Sequence, residues 1–197
     1  MAIAASVPRA DELESLLRVT PWMMRVLAAA AEVAAPEWWV AGGLVRRVVW
    51  DQKYHGGFDP DLLSDVDLAF FDACDLTPAR DADVQSALER VLPNVPWEAK
   101  NQAAVHLWYP RKFGVAVPPV ESAAEGIGTW AETATAVGVR LLESGDLAVT
   151  AAFGLDDILD GVWRWNPRRA TEEHFWGRLA RIDPTSRWPA VRVIAPV

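Results

Sequence analysis

The sequence predicts an α+β protein, and three observations carry that expectation. Apolar residues recur at helical spacing, at Leu13, Leu16, Leu17 and Val19 and again at Val84, Ala87, Leu88 and Val91. Short apolar or aromatic runs at 38–41, 63–72 and 97–100 separate the helical stretches and have the length and residue types of strands. Two further runs, 136–142 and 147–151, flank Glu143-Ser144-Gly145-Asp146 and read as a β-hairpin in the C-terminal third.

In chain order, a short amphipathic helix begins near Asp11. Thr20-Pro21 pairs an N-capping residue with proline at the first helical position and starts a second helix through about Ala34. Pro36 stops it. The strand 38–41 runs into Gly42-Gly43, a tight connection to a helix over 44–52. His55-Gly56-Gly57-Phe58-Asp59-Pro60-Asp61 has loop composition and leads into the acidic run 63–72. Thr77-Pro78 opens a helix to about Val91, and Pro93 and Pro96 bracket the turn before the strand 97–100. The stretch 101–109 is open between helix and extended loop. Residues 122–133, 154–163 and 171–182 are expected to be helical, and the tail Arg187-Trp188-Pro189 is expected to lie against the body. With no repeat and no low-complexity linker, the whole chain, 1–197, is expected to form one domain with the N-terminal helices of about 8–35 packed on it.

Composition narrows the function classes. Among 197 residues the formal net charge is −8, which argues against broad non-specific binding to nucleic acid, since phosphate backbones reward Lys and Arg. Basic patches at Arg46-Arg47 and from Arg164 to Arg169 are local exceptions. No apolar run reaches membrane-spanning length, and the N-terminus has no basic segment leading into an apolar core, so a cytoplasmic protein is expected. The single cysteine, Cys74, excludes an internal disulfide; it is expected to be a small buried thiol just after the acidic strand. Eleven tryptophans are several times the usual share. They carry large apolar area for a core, and some can stack on a planar ligand.

The acids inside the second strand carry the chemistry. Along Leu63-Ser64-Asp65-Val66-Asp67-Leu68-Ala69-Phe70 side chains alternate faces, which puts Asp65 and Asp67 on one face, roughly 6 to 7 Å apart at the backbone. Two carboxylates so placed can close on a divalent cation; the alternative is that Asp65 caps a turn and Asp67 pairs with an arginine. Gly42-Gly43, at the start of a helix, suits phosphate, because glycine admits close backbone approach and the first N–H groups of the helix are unpaired. Arg46, one turn in, can add a charge-assisted contact, the alternative being a plain strand-to-helix turn with Arg46 solvated. Glu98, in the third strand, either joins the aspartates or pairs with Lys100 or a nearby arginine.

Trp39-Val40-Ala41-Gly42-Gly43-Leu44-Val45-Arg46, Ser64-Asp65-Val66-Asp67, Trp97-Glu98-Ala99-Lys100-Asn101-Gln102, His106-Leu107-Trp108-Tyr109, Thr135-Ala136-Val137-Gly138-Val139-Arg140 and Phe153-Gly154-Leu155-Asp156-Asp157 occur in an order that resembles the nucleotidyltransferase superfamily. That superfamily includes the CCA-adding enzymes and polymerase β, and the closer likeness is to a bacterial family of nucleotidyltransferase-like proteins. The resemblance spans roughly 20–195. It implies a small mixed β-sheet with helices packed on one side, dependence on Mg²⁺ (or Mn²⁺), and transfer of a nucleoside monophosphate from an NTP to a hydroxyl acceptor: a small molecule, a protein or an RNA end. By position it implies Asp65, Asp67 and Glu98 as catalytic and metal-binding acids, with Gly42, Gly43, Arg46, Lys100 and Asn101 as nucleotide or phosphate contacts. Asn101, Gln102 and His106 follow Glu98 and are candidates for contact with base, ribose or acceptor, the alternative for His106 being a structural role. Two departures stand out: Gly43 where many members have serine, and Glu98 where many have aspartate. The alternatives are a nucleotide-binding or regulatory protein of the same fold without turnover, and a tryptophan platform that stacks sugars or bases without metal.

Overall fold

The computed structural model describes residues 7–196. Its centre is a five-stranded mixed sheet built from β1 (Trp39–Ala41), β2 (Val66–Phe70), β3 (Trp97–Asn101), β4 (Val137–Leu141) and β5 (Leu147–Ala151) in the order β3-β2-β1-β4-β5. β1 runs antiparallel to both β2 and β4, and β4 and β5 form the expected hairpin. β2 and β3 are parallel, so the chain needs a crossover between them, which α4 (Pro78–Val91) supplies.

One face of the sheet is closed by α1 (Ala10–Arg18), α2 (Pro21–Val33), α3 (Gly43–Tyr54) and α4. Val40, Val66, Leu68 and Phe70 point into that layer and pack with Leu13, Leu17, Met23, Leu27, Val45, Val49 and Leu88 in one cluster. Each such aliphatic or aromatic side chain contributes about 1.5–3 kcal/mol on leaving water, which makes this layer the main source of stability. The opposite face is only partly covered. The short helix α6 (Ala123–Ile127) sets Ile127 over Ala41 and Ala69, with Trp39 and Trp130 beside them, and next to them a cleft lies over Asp67.

Several expectations need correction. Residues 122–133 hold only the five-residue helix α6, which stops at Gly128, while Gly126 inside it is packed against the Gln102 side chain. Residues 154–163 do not form one helix: a single turn, α7 (Asp156–Leu159), ends at Gly161 with φ +67°, and β6 (Val162–Arg164) follows. β6 pairs in parallel with β7 (Arg192–Ile194), which holds the tail to the body. Residues 101–109 resolve into a 3₁₀ turn, Gln102–Ala104, and α5 (Val105–Phe113). Thr20 precedes α2 as expected, but its hydroxyl donates to Leu16 O and accepts from Gln52 rather than capping the helix. Cys74 is exposed, not buried, because the chain leaves the sheet after Phe70 and turns outward there, its N–H held by the Asp72 carboxylate. The helix 171–182 is present as α8 (Glu172–Ile182), capped by the Thr171 hydroxyl, and α9 (Pro184–Arg187) leads to Trp188, buried against Trp50. Among the described residues no helix is long and apolar enough to cross a membrane.

Candidate active site

Alternation along β2 sends Val66 and Leu68 into the core and leaves Asp67 on the open face, with Asp65 two residues earlier lining the same cleft. The parallel register of β2 and β3 sets Glu98 directly beside Asp67 and Lys100 beside Ala69. Tertiary pairing therefore brings the three acids together. Asp67 has no hydrogen-bond donor or cation within contact distance among the described residues, and its carboxyl is pushed up to about 7, first by burial, then by Asp65 and Glu98. Glu98 is exposed at the edge of the cleft.

The acids sit over the turn between β1 and α3. Gly42 has φ +74°, and a Cβ there would collide with the Trp130 ring and come within 3.2 Å of Asp67 Oδ2. No other residue fits. Gly43 is different: a Cβ would lie 3.9 Å from Asp65 Oδ1, an ordinary contact. The free N–H groups of the first turn of α3 thus open beside the aspartates, as an anion site requires.

The third component is a basic wall that sequence reasoning located only in part. Arg46, Arg47, Arg169, Arg178, Arg181 and Arg187 line the same cleft of about 400 Å³ as the three acids. Two fully buried carboxylates hold most of these arginines in place. Asp51 accepts from Arg47 Nε at 3.3 Å, from Arg187 Nη2 at 3.1 Å and from Trp188 Nε1 at 2.7 Å. Glu132 accepts from Arg178 Nε at 2.6 Å and Nη2 at 3.1 Å, and from Thr135 Oγ1 at 3.0 Å. Burial alone would raise the Glu132 carboxyl, but Arg178, its hydrogen bonds and Arg46 outweigh it and hold the group below the usual range.

Arg46 is not solvated, contrary to the plain-turn alternative. Its guanidinium lies among Trp163, Trp50 and Trp188, 4.5 Å from the Trp163 ring centroid, and 3.9 Å from Glu132. Burial lowers its pKa to about 10 against the pull of Glu132. Nε and Nη1 have no hydrogen-bond partner, so the cage of rings and the charge of Glu132 balance the cation. Several of the surplus tryptophans are thereby accounted for.

Lys100 lies on the open face near Glu98 but pairs with Asp81 at 3.6 Å. Asn101 does not reach the cleft. Its carboxamide accepts from Asp72 N and Ala103 N and donates to Asp72 O and Asp75 O, fastening the loop after β2. Gln102 lines a small cavity of about 130 Å³ with Asp67, Glu98 and Lys100, and its buried Oε1 has no partner. His106 lines none of these cavities. Arg178, Arg181 and Arg187 were missed because they lie more than 75 residues from the acids in sequence; the one available signal was the run of arginines beginning at Arg164.

The donor set is that of a hard cation, and Mg²⁺ takes one or two carboxylates and completes its shell with water and substrate phosphates. Asp65 and Asp67 fit that use. Among the described residues no group of three His, Cys, Asp or Glu side chains is arranged to hold an ion without such help.

Residues 28–193 match the sequence profile of a family described as nucleotidyltransferase. No curated protein matches the chain. Among solved structures it is similar to a protein whose NMR structure is described as revealing a CCA-adding enzyme head domain, at 26% identity and a TM-score of 0.78, covering 94% of this chain and 96% of that one. It is also similar to a CCA-adding enzyme solved with CTP, at 17% identity and a TM-score of 0.54, covering 92% of this chain and 43% of that one. The Thermotoga maritima CCA-adding enzyme complexed with tRNA gives 17% identity and a TM-score of 0.53, covering 98% of this chain and 43% of that one. The chain spans about two fifths of those two enzymes, and the likeness to them is one of fold.

Proposed function

The chain belongs to the nucleotidyltransferase family, and from that premise we propose that it transfers a nucleoside monophosphate from an NTP to a hydroxyl acceptor in a metal-dependent reaction. The observation that carries the reading is the register of β2 and β3: Asp67 and Glu98 stand side by side, with Asp65 on the same face, above the glycine turn into α3. Holding like charges together costs stability, and Asp67, raised to about 7, bears that cost because Arg178 and Lys100, which favour its charged form, do not outweigh burial and the neighbouring acids. A divalent metal bound by Asp65 and Asp67 would neutralise them and supply charge for the phosphates and the acceptor hydroxyl.

The residues of the chain do the rest. The first N–H groups of α3 and Arg47 and Arg187 receive the triphosphate, and the Arg46 charge, fixed in its cage, adds positive potential beneath it. The acceptor hydroxyl lies against Glu98. Its oxygen forms a bond to the α-phosphorus, the bond from that phosphorus to the bridging oxygen of the β-phosphate breaks, and pyrophosphate leaves with the electron pair. The hydroxyl proton passes to a Glu98 carboxylate oxygen. The reading takes the chain as one nucleotidyltransferase-like domain, supported by the packing of Leu13, Leu17 and Met23 into the same core as Val66 and Leu68.

The test uses each α-³²P-labelled NTP with Mg²⁺ and candidate acceptors in a cell extract. A labelled product that vanishes with chelator and in Asp67→Asn is expected; a product equally abundant in both would remove the acids from the reaction. A second reading, nucleotide binding without turnover, is favoured by one fact: no three described side chains close around a metal by themselves. Calorimetry that shows Mg²⁺-dependent NTP binding, with no transfer in any extract, selects it.

A further inference from the structure

Adjoining the main cleft, across side chains that line both, lies a second one of about 410 Å³ that Asp65, Asp67 and Glu98 do not line. Its charged lining is Arg169, Arg178 and Arg181 against the single acid Glu173, with Tyr109 and Phe113 as its aromatic wall. Phe113 stacks on His174 at 5.1 Å between ring centroids, and the Arg169 guanidinium lies 4.8 Å from the centroid of Tyr109. Among the described residues neither Arg169 nor Arg181 has a carboxylate within 4 Å. Burial holds the pKa of Arg169 below the ordinary arginine value, so this cation is short of an anion.

All three arginines also line the main cleft, so the two clefts adjoin along them, and Arg169 lines the small cavity beside Glu98 as well. That cavity, about 130 Å³, has room for the reacting end of an acceptor but not for its body. Arg169 is the residue that this cavity shares with the second cleft. The triphosphate has its own arginines, Arg47 and Arg187, on the Gly43 side, and these do not line the second cleft.

Resting on the nucleotidyltransferase reading, we propose that the acceptor is a small phosphate monoester: its hydroxyl enters the cavity beside Glu98 and its phosphate docks on Arg169, Arg178 and Arg181. A dianionic phosphate matches planar, multidentate guanidinium donors, and a cleft of this size encloses a small molecule. A net charge of −8 on the chain weighs against a polynucleotide, which would need a long basic track.

Ribose 5-phosphate is the probe, titrated calorimetrically into the full chain, free and pre-saturated with Mg²⁺ and a non-hydrolysable NTP. It is expected to bind in both states. Arg181→Gln, at an exposed position, is expected to weaken ribose 5-phosphate about tenfold, the scale of one charge-assisted contact, and the NTP analogue by less. Arg169→Gln is expected to do the same, with its melting temperature measured alongside. Inorganic phosphate is expected to bind more weakly than the ester, and a short RNA with a free 3′ hydroxyl not to displace it. One-for-one competition between ribose 5-phosphate and the NTP analogue, equal losses for both ligands in Arg181→Gln, or tighter binding of the RNA would overturn the proposal. If the NTP analogue fails to bind at all, the transferase reading falls by itself, and the nucleotide-free titration still decides the phosphate site.

Discussion

Two kinds of acid stand at the cleft, one behind its basic wall and one on its floor, and they are solved in opposite ways. Asp51 and Glu132, beneath the basic wall, are fully buried and fully paired, each with arginines and one further donor. Asp67, across the cleft, is surrounded by Asp65 and Glu98, and its proton is held up to about 7. A carboxylate matched to cations costs little more than its own desolvation and fixes the geometry of its partners. One grouped with other carboxylates stores unfavourable energy until a cation arrives. The difference separates groups that shape the site from groups that act in it.

The comparison can be broken experimentally, and the largest effect is expected at the acting acids. Asp67→Asn should lower transfer by about 10³-fold, the scale of losing one preorganised electrostatic group. In metal-free buffer at pH 8 the same variant should be more stable than wild type by roughly 2–4 kcal/mol. The sign follows from the raised pKa. Between the unfolded value near 3.8 and about 7 the native state keeps a proton that the unfolded state has lost, so wild-type stability falls as pH rises through that window. Denaturant melts of both proteins from pH 4 to 8 should diverge upward in pH; parallel curves would mean that Asp67 is not strained.

The shaping acids should behave oppositely. Glu132→Gln leaves Arg178 and Arg46 without their counter-charge and should cost about 3–5 kcal/mol, read by urea melts. A neutral or stabilised variant would erase the contrast. Next in size, Asn101→Ala should cost about 1–3 kcal/mol by leaving Asp72 N and Ala103 N unpaired, with NTP affinity unchanged by calorimetry, because its amide faces the loop and not the cleft. The smallest effect is expected at Gly43→Ser, within about 0.5 kcal/mol of wild-type stability, since the added atoms meet only an ordinary contact with Asp65. Gly42→Ala, one residue earlier, should be disruptive on the same melt, because it meets both a positive φ and the Trp130 ring.

Much of the central sheet was legible because its signals are local. Val66, Leu68 and Phe70 alternate with Asp67 and Ala69, and that pattern assigns a strand, its two faces and the side on which the acid lies. Gly42-Gly43 and Thr77-Pro78 mark helix starts for reasons confined to a few residues. Where local signals were weak, the reading failed. Residues 154–163 have helical composition, but Val162 and Trp163 are drawn into a strand by β7, about thirty residues on. Cys74 follows an apolar strand closely enough to suggest burial, yet the loop turns outward on hydrogen bonds that the Asn101 amide donates and the Asp72 carboxylate accepts, which no spacing announces.

By itself the amino-acid order determined a strand with Asp67 on one face and a second acid two residues before it, and a glycine pair where that strand's neighbour turns into a helix, because alternation and turn chemistry act over a few residues. Tertiary structure alone decided that Glu98 stands beside Asp67, that Arg46 is enclosed by three tryptophans, and that Arg178 and Arg187 arrive from the far end of the chain. Those placements depend on strand register, on helix packing and on buried acids pairing with distant cations, and such pairings are set by the free energy of the whole fold.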